Sequence, residues 1–182
     1  LEFRRVLFRS VLMGHSLFNP VTNELKAHAA YCGYFNHEQT VEFSGGTTGT
    51  PGWFWDNIGE NESVKAALKL GDKTLLGMTW HEIYSEVEDY QNWIDLALVH
   101  NPDISVFIMI PWPPHGNMTY DQARALQNDI NDTVHGIIGV LRDAYPGTEI
   151  FAIPQGDGML ELWRLYEAGQ LPGIDGVYKT SP

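Results

Sequence analysis

Four short segments of this 182-residue chain concentrate the side chains able to do chemistry. They are Gly14-His15-Ser16, Gly45 to Gly52, Gly77-Met78-Thr79-Trp80-His81 and Pro111-Trp112-Pro113-Pro114-His115. Each follows a short apolar run, and together they are rich in glycine, hydroxyls, histidine and tryptophan. A serine at a strand-to-helix turn shows its hydroxyl beside unpaired helix N–H groups, which favour a developing oxyanion. Ser16 therefore suits a nucleophile, and equally a helix cap, a common task for serine at such a turn. His81 suits a substrate or oxyanion contact, a substitute base, or a loop histidine bonded to backbone. His115 has the weaker claim of the two. His15 adjoins Ser16, so their side chains are expected to diverge, with His15 orienting rather than reacting. Trp53, Trp55, Trp80 and Trp112 offer aromatic walls for an acyl or sugar group, or packing at the loop bases.

Other patterns carry less. Asp132-Thr133-Val134-His135 has the spacing of an orienting acid and its base, but it falls inside a long helical pattern, where residues three apart are neighbours by geometry alone. It reads as a helix-surface contact. Thr47-Thr48-Gly49-Thr50 looks like the phosphate loop of flavodoxins, which follows the first strand and runs directly into a helix N-terminus. Here it follows the second run and leads into Pro51-Gly52-Trp53-Phe54-Trp55. No H-x-x-x-H or H-x-H pair exists, and the single cysteine, Cys32, rules out an intrachain disulfide and any multi-cysteine zinc site. Neither metal nor cofactor is expected.

The elements that must position these segments alternate along the chain. Val11 to Met13 ends an apolar run that begins as early as Val6. Asn19 to Gly33 reads as a helix with Leu25, Ala29 and Ala30 on one side and Gly33 as its stop. Thr40 to Phe43 is a second strand. The Gly45 to Gly52 loop holds too many breakers for either element. Asn61 caps a helix through Lys69, Lys73 to Met78 is the third strand, and Val87 to Val99 the next helix. Ile104 to Ile110 is a strand apolar enough to be buried on both faces. A long helix from Thr119 to Tyr145, a strand from Glu149 to Ile153 and a helix from Gly158 to Ala168 complete the order. Strands each followed by a helix give an α/β fold, a three-layer α/β/α sandwich. Its five-stranded parallel sheet is expected in the order 2-1-3-4-5, with Leu12, Leu75, Ile108 and Phe151 near the core. In such sheets ligands bind outside the carboxyl ends of the strands, where all four segments fall.

Composition narrows the partners. Hydrophobic residues make up 43% and charged residues 19%, an ordinary globular mixture. Residues 1–10 carry a local charge of +2, so the other 172 hold 8 basic and 22 acidic side chains. A surface this acidic repels phosphate backbones and anionic membranes, so nucleic acid is not an expected partner. No apolar run approaches the roughly 18–20 residues of a membrane span. The opening Leu-Glu-Phe-Arg-Arg-Val-Leu-Phe-Arg-Ser reads as a non-native or disordered extension, and residues 11–182 as one domain.

Gly14-His15-Ser16-Leu17 just after the first strand resembles block I, G-D-S-L, of the SGNH or GDSL-type hydrolases, which share the five-stranded parallel sandwich. The resemblance implies a serine-dependent ester hydrolase working through an acyl-enzyme on Ser16, with a small-molecule or glycan ester as substrate. It implies an oxyanion hole from the Ser16 N–H, from Gly46 as the block II glycine, and from Thr79, which stands where block III has asparagine. Trp80, His81 and Trp112 would contact substrate. His15 replaces the usual aspartate. The family's D-x-x-H, which supplies the base, is expected beyond Pro182 in a longer protein, so residues 1–182 are expected to be poorly active alone. Two other classes fit the same residues: a non-catalytic SGNH-like carbohydrate-binding domain and a flavodoxin-like cofactor binder.

Overall fold

The computed structural model describes residues 8–59, 62–113 and 117–173. Five parallel strands form one sheet in the order β2-β1-β3-β4-β5. They are β1 (Arg9–Gly14), β2 (Glu38–Phe43), β3 (Leu75–Thr79), β4 (Ser105–Met109) and β5 (Ile150–Ile153). The helices are α1 (Asn19–Tyr31), α2 (Pro51–Asn57), α3 (Ser63–Lys69), α4 (Val87–His100), α5 (Tyr120–Ala144) and α6 (Gln155–Glu167). The expected sheet order is thus observed. The strand pairs are in uninterrupted register, with Leu12 beside Gly77 and Gly77 beside Phe107. A side chain at Gly77 would collide with Phe107 and Leu12, so the central strands close up through this glycine.

Alternation along the strands feeds two cores. Val11, Met13, Leu76, Met78, Val106, Ile108 and Ile110 point to one face, where α2, α3, α4 and α5 supply Phe54, Leu68, Trp93, Ile94, Ile130 and Val134. Leu12, Leu75, Phe107 and Met109 point to the other, packed by Phe18, Val21 and Leu25 at and along α1. Leu12, Leu75 and Ile108 are buried, as expected. Phe151 is only half-buried. β5 is an edge strand, and on its side an apolar groove of about 480 Å³ runs past Leu25, Leu75, Phe107, Phe151 and Ile153.

Several boundaries differ from the sequence reading. β1 takes in Arg9 and Ser10, which the reading assigned to the extension; Arg9 pairs with Glu38 of β2 and with Asp72, while residues 1–7 lie outside the described residues. α1 ends as anticipated, with Gly33 at φ +89° and the Gly33 and Tyr34 amides donating to Ala30 and Ala29 carbonyls. Ala30 itself is exposed. The Gly45 to Gly52 segment is not structureless: Gly46–Gly49 forms a 3-10 turn and α2 follows. Threonine hydroxyls offset the breakers, Thr48 donating to Gly45 O at 2.7 Å and Thr50 to Thr47 O at 2.7 Å. Pro51 then sits in the first turn of α2, where its missing N–H costs nothing. Glu62, not Asn61, is the residue before α3; Asn61 lies outside the described residues. α6 starts at Gln155, directly after Pro154, because Gly156 lets the turn close on Gln127 of α5.

Candidate active site

Three of the strand ends converge through His15. Its ring is 3% exposed, and Nδ1 accepts the Leu17 N–H at 3.3 Å. A backbone N–H can only donate, so the neutral ring carries its proton on Nε2. Nε2 then donates to Trp80 O at 3.1 Å, with Thr79 Oγ1 3.2 Å away. Burial lowers the His15 pKa below its ordinary value of 6.5; the bond to Trp80 opposes this, and the charge of His81 adds to it. The ring is therefore a neutral strut between β1 and β3. Gly49 of the 3-10 turn lies against the His15 backbone so closely that a Cβ there would come within 2.6 Å of His15 Cα. The Ser44 N–H, donating to Gly14 O at 3.2 Å, ties the end of β2 to the same place.

Ser16 follows, in the turn that delivers the chain into α1. The Phe18 and Asn19 amides close that turn on His15 O, at 2.9 and 3.2 Å. Ser16 is exposed, and among the described residues neither its hydroxyl nor its N–H has a hydrogen-bond partner. It is not a side-chain cap: Phe18 occupies the cap position of α1.

Beside this turn opens a cavity of about 450 Å³. His15 and Leu17, on either side of Ser16 in the chain, form part of its wall. Trp80, His81 and Glu82 continue it after β3, and Pro111 and Trp112 after β4. The far wall is α5, through Leu126, Asp129, Ile130 and Thr133. Those four positions have the 3–4 spacing of one helix face. Sequence reasoning missed this wall, although the Leu126/Ile130 pair with polar residues beside it was visible in the pattern. Glu82 and Asp129 are the charged lining groups, and no Lys or Arg lines the cavity among the described residues.

The loop that presents His81 is internally braced. Ser85 Oγ accepts the His81 N–H at 3.1 Å, and His81 Nδ1 accepts the Ile83 N–H at 3.2 Å. Tyr84 adopts φ +56°, a conformation side chains rarely take, and its carbonyl accepts the Gly52 N–H of α2 at 3.2 Å. The His81 ring meets the His15 ring edge-on, with centroids 5.7 Å apart.

The other candidates are placed as follows. Thr79 ends β3 fully buried, its hydroxyl between His15 Nε2 and Trp80 O, the latter at 3.4 Å. Gly46 opens the 3-10 turn at φ +56°, exposed and with free space where a side chain would stand. Trp53 and Trp55 pack on the core away from the cavity. Trp55 stacks edge-on against Trp93 at 5.1 Å, under the Lys65 ammonium at 4.5 Å. Asp132 and His135 are exposed on α5, and neither lines the cavity nor bonds to the other. The hydroxyls of Thr48 and Thr50 are spent inside the Gly45 to Gly52 segment. His115 lies outside the described residues. Among the described residues no three His, Cys, Asp or Glu side chains gather as metal ligands, and no helix is long and apolar enough to cross a membrane.

Compared with models of known protein families and with curated proteins, the chain matches none.

Proposed function

We propose that the protein is a serine-dependent ester hydrolase that works through an acyl-enzyme on Ser16. One observation carries the reading: an exposed, unpartnered serine at the carboxyl edge of a parallel sheet, flanked in sequence by two residues that line a cavity. The Ser16 oxygen would attack the ester carbonyl, its proton leaving with the alcohol, and water would then release the acid. The free Ser16 N–H suits one oxyanion donor, and the Gly46 N–H is the second expected from the SGNH resemblance. Trp80 and Trp112 would flank a small-molecule or glycan ester. The SGNH resemblance would supply the general base from its D-x-x-H histidine, and among the described residues no histidine bonds to Ser16. With imidazole supplied as base, a fluorophosphonate probe should label the protein and fail to label Ser16→Ala; equal labelling of both would end this reading.

A second reading, a non-catalytic carbohydrate-binding domain, is favoured by the burial of Thr79, whose hydroxyl stands in the oxyanion position and donates to Trp80 O at 3.4 Å. Calorimetric glycan binding without ester turnover would support it.

A further inference from the structure

The cavity holds two histidines with the same local geometry and different outward partners. In each, Nδ1 accepts the amide N–H two residues on, from Leu17 to His15 at 3.3 Å and from Ile83 to His81 at 3.2 Å. An amide nitrogen has no proton-accepting lone pair to offer in return, so each neutral ring must carry its proton on Nε2. His15 spends that proton on the Trp80 carbonyl at 3.1 Å. His81 does not: among the described residues its Nε2 has no partner, and its ring lines the cavity. Thr79, which the SGNH resemblance nominates as oxyanion donor, is fully buried, and its hydroxyl donates to Trp80 O at 3.4 Å.

We propose that His81, held as the Nε2–H tautomer by the Ile83 amide, is a hydrogen-bond donor to the oxyanion formed when Ser16 attacks an ester carbonyl, beside the Ser16 N–H. The role rests on the Ser16 reading above. When the Ser16 oxygen bonds to the carbonyl carbon, the carbonyl π pair moves onto oxygen. His81 stabilises that charge while its own proton stays on nitrogen. The geometry also separates this role from that of a base. With Nδ1 occupied by Ile83 N–H and Nε2 already protonated, the ring has no site to receive the serine proton while the loop keeps its shape. Braced by Ser85 and by the Tyr84–Gly52 bond, the loop holds the donor in place before substrate arrives, which is what electrostatic stabilisation requires.

Two measurements on the whole chain test this. Long-range proton–nitrogen correlation spectra should show the neutral His81 ring with protonated Nε2 and bare Nδ1. A bare Nε2 overturns the proposal whatever Ser16 does. Turnover of p-nitrophenyl acetate should then be followed with imidazole in solution as the base, and the Ser16→Ala background subtracted. His81→Gln keeps an N–H donor and should lose less than about tenfold. His81→Ala removes it and should lose on the order of 100-fold, the usual consequence of deleting one oxyanion donor. Matching melting curves for both variants exclude a folding defect. Equal losses in the two variants, or no loss in His81→Ala, overturn the donor role. If the parent itself shows no Ser16-dependent turnover, the Ser16 reading fails and this role goes with it, a result that the tautomer spectrum keeps distinct.

Discussion

His15 is held in a place where its charged form is disfavoured, and the sign of that effect can be tested. Burial is the main cause that lowers its pKa below 6.5, against the raising influence of the Trp80 carbonyl and with a further lowering from His81. As pH falls, the unfolded chain takes up the proton first. The contribution of the neutral ring is therefore whole above about pH 6.5 and is lost as pH falls towards the folded value. Between about pH 7.5 and about pH 5, the parent should lose more thermal stability than His15→Gln, which lacks this titration. Equal losses would show that the ring is not desolvated. At this scale sequence was informative about placement and silent about pairing. Trp80, His81 and Trp112 line the cavity because they follow strands, and the ends of parallel strands share an edge. The contact between His15 and Thr79 joins residues 64 apart, and nothing in either segment announces it. Nor did breaker content reveal that the Thr48 and Thr50 hydroxyls would be consumed locally.

At the scale of elements, the segment from Gly45 to Asn57 shows how local chemistry overrides a count of glycines. The 3-10 turn exists because two threonine hydroxyls and the Thr48 N–H bond backward within it. α2 exists because Pro51 starts it and α4 receives it, the Trp93 indole donating to Pro51 O at 2.9 Å. Gly52 lies so close to Asp89 that a Cβ would come within 2.5 Å of its carboxylate. Long periodic stretches such as α4 and α5 were readable, since their apolar faces repeat over several turns. α2, at seven residues, is too short for periodicity to show and depends on its packing against α4. Two glycines in the turn should then behave differently. A side chain at Gly49 meets backbone, His15 Cα and Ser44 O both at 2.6 Å, which neither partner can yield without moving β1 or β2. Gly49→Ala should cost about 1–3 kcal/mol, as overpacking does, and disturb the His15 environment with it. Gly46 stands in open space at φ +56°, so Gly46→Ala meets only the backbone penalty of about 1 kcal/mol. Chemical denaturation of the two variants, with the His15 ring resonances as a local reporter, checks both. Unperturbed His15 signals in Gly49→Ala would show that the turn does not brace the site.

Across the whole molecule, the sheet is covered unequally. Four helices pack one face, while α1 supplies the helical cover of the other and leaves a groove beside β5. Phe107 and Phe151 face that second core with rings 5.9 Å apart, but only Phe107 is fully enclosed. Phe107→Ala should cost about 3–5 kcal/mol and Phe151→Ala roughly half that, because less apolar surface leaves water at the edge strand. Urea unfolding would expose the contrast, and equal costs would mean the groove is filled in solution. Charge acts on the same scale. With 11 basic and 23 acidic side chains the chain carries a net −12, and packing that charge into one body costs self-repulsion. Added salt screens this repulsion more in the compact state than in the expanded one, a gain on the order of a few kcal/mol. Salt also weakens the ion pairs, but Arg9–Glu38 and Arg124–Asp157 are partly exposed and worth at most about 1 kcal/mol each. Repulsion should therefore dominate. Raising sodium chloride from about 10 mM to about 300 mM at neutral pH should lift the melting temperature by roughly 5 °C. A fall in melting temperature would mean that the ion pairs, Lys73–Asp72 with its buried ammonium among them, outweigh the field of the whole chain.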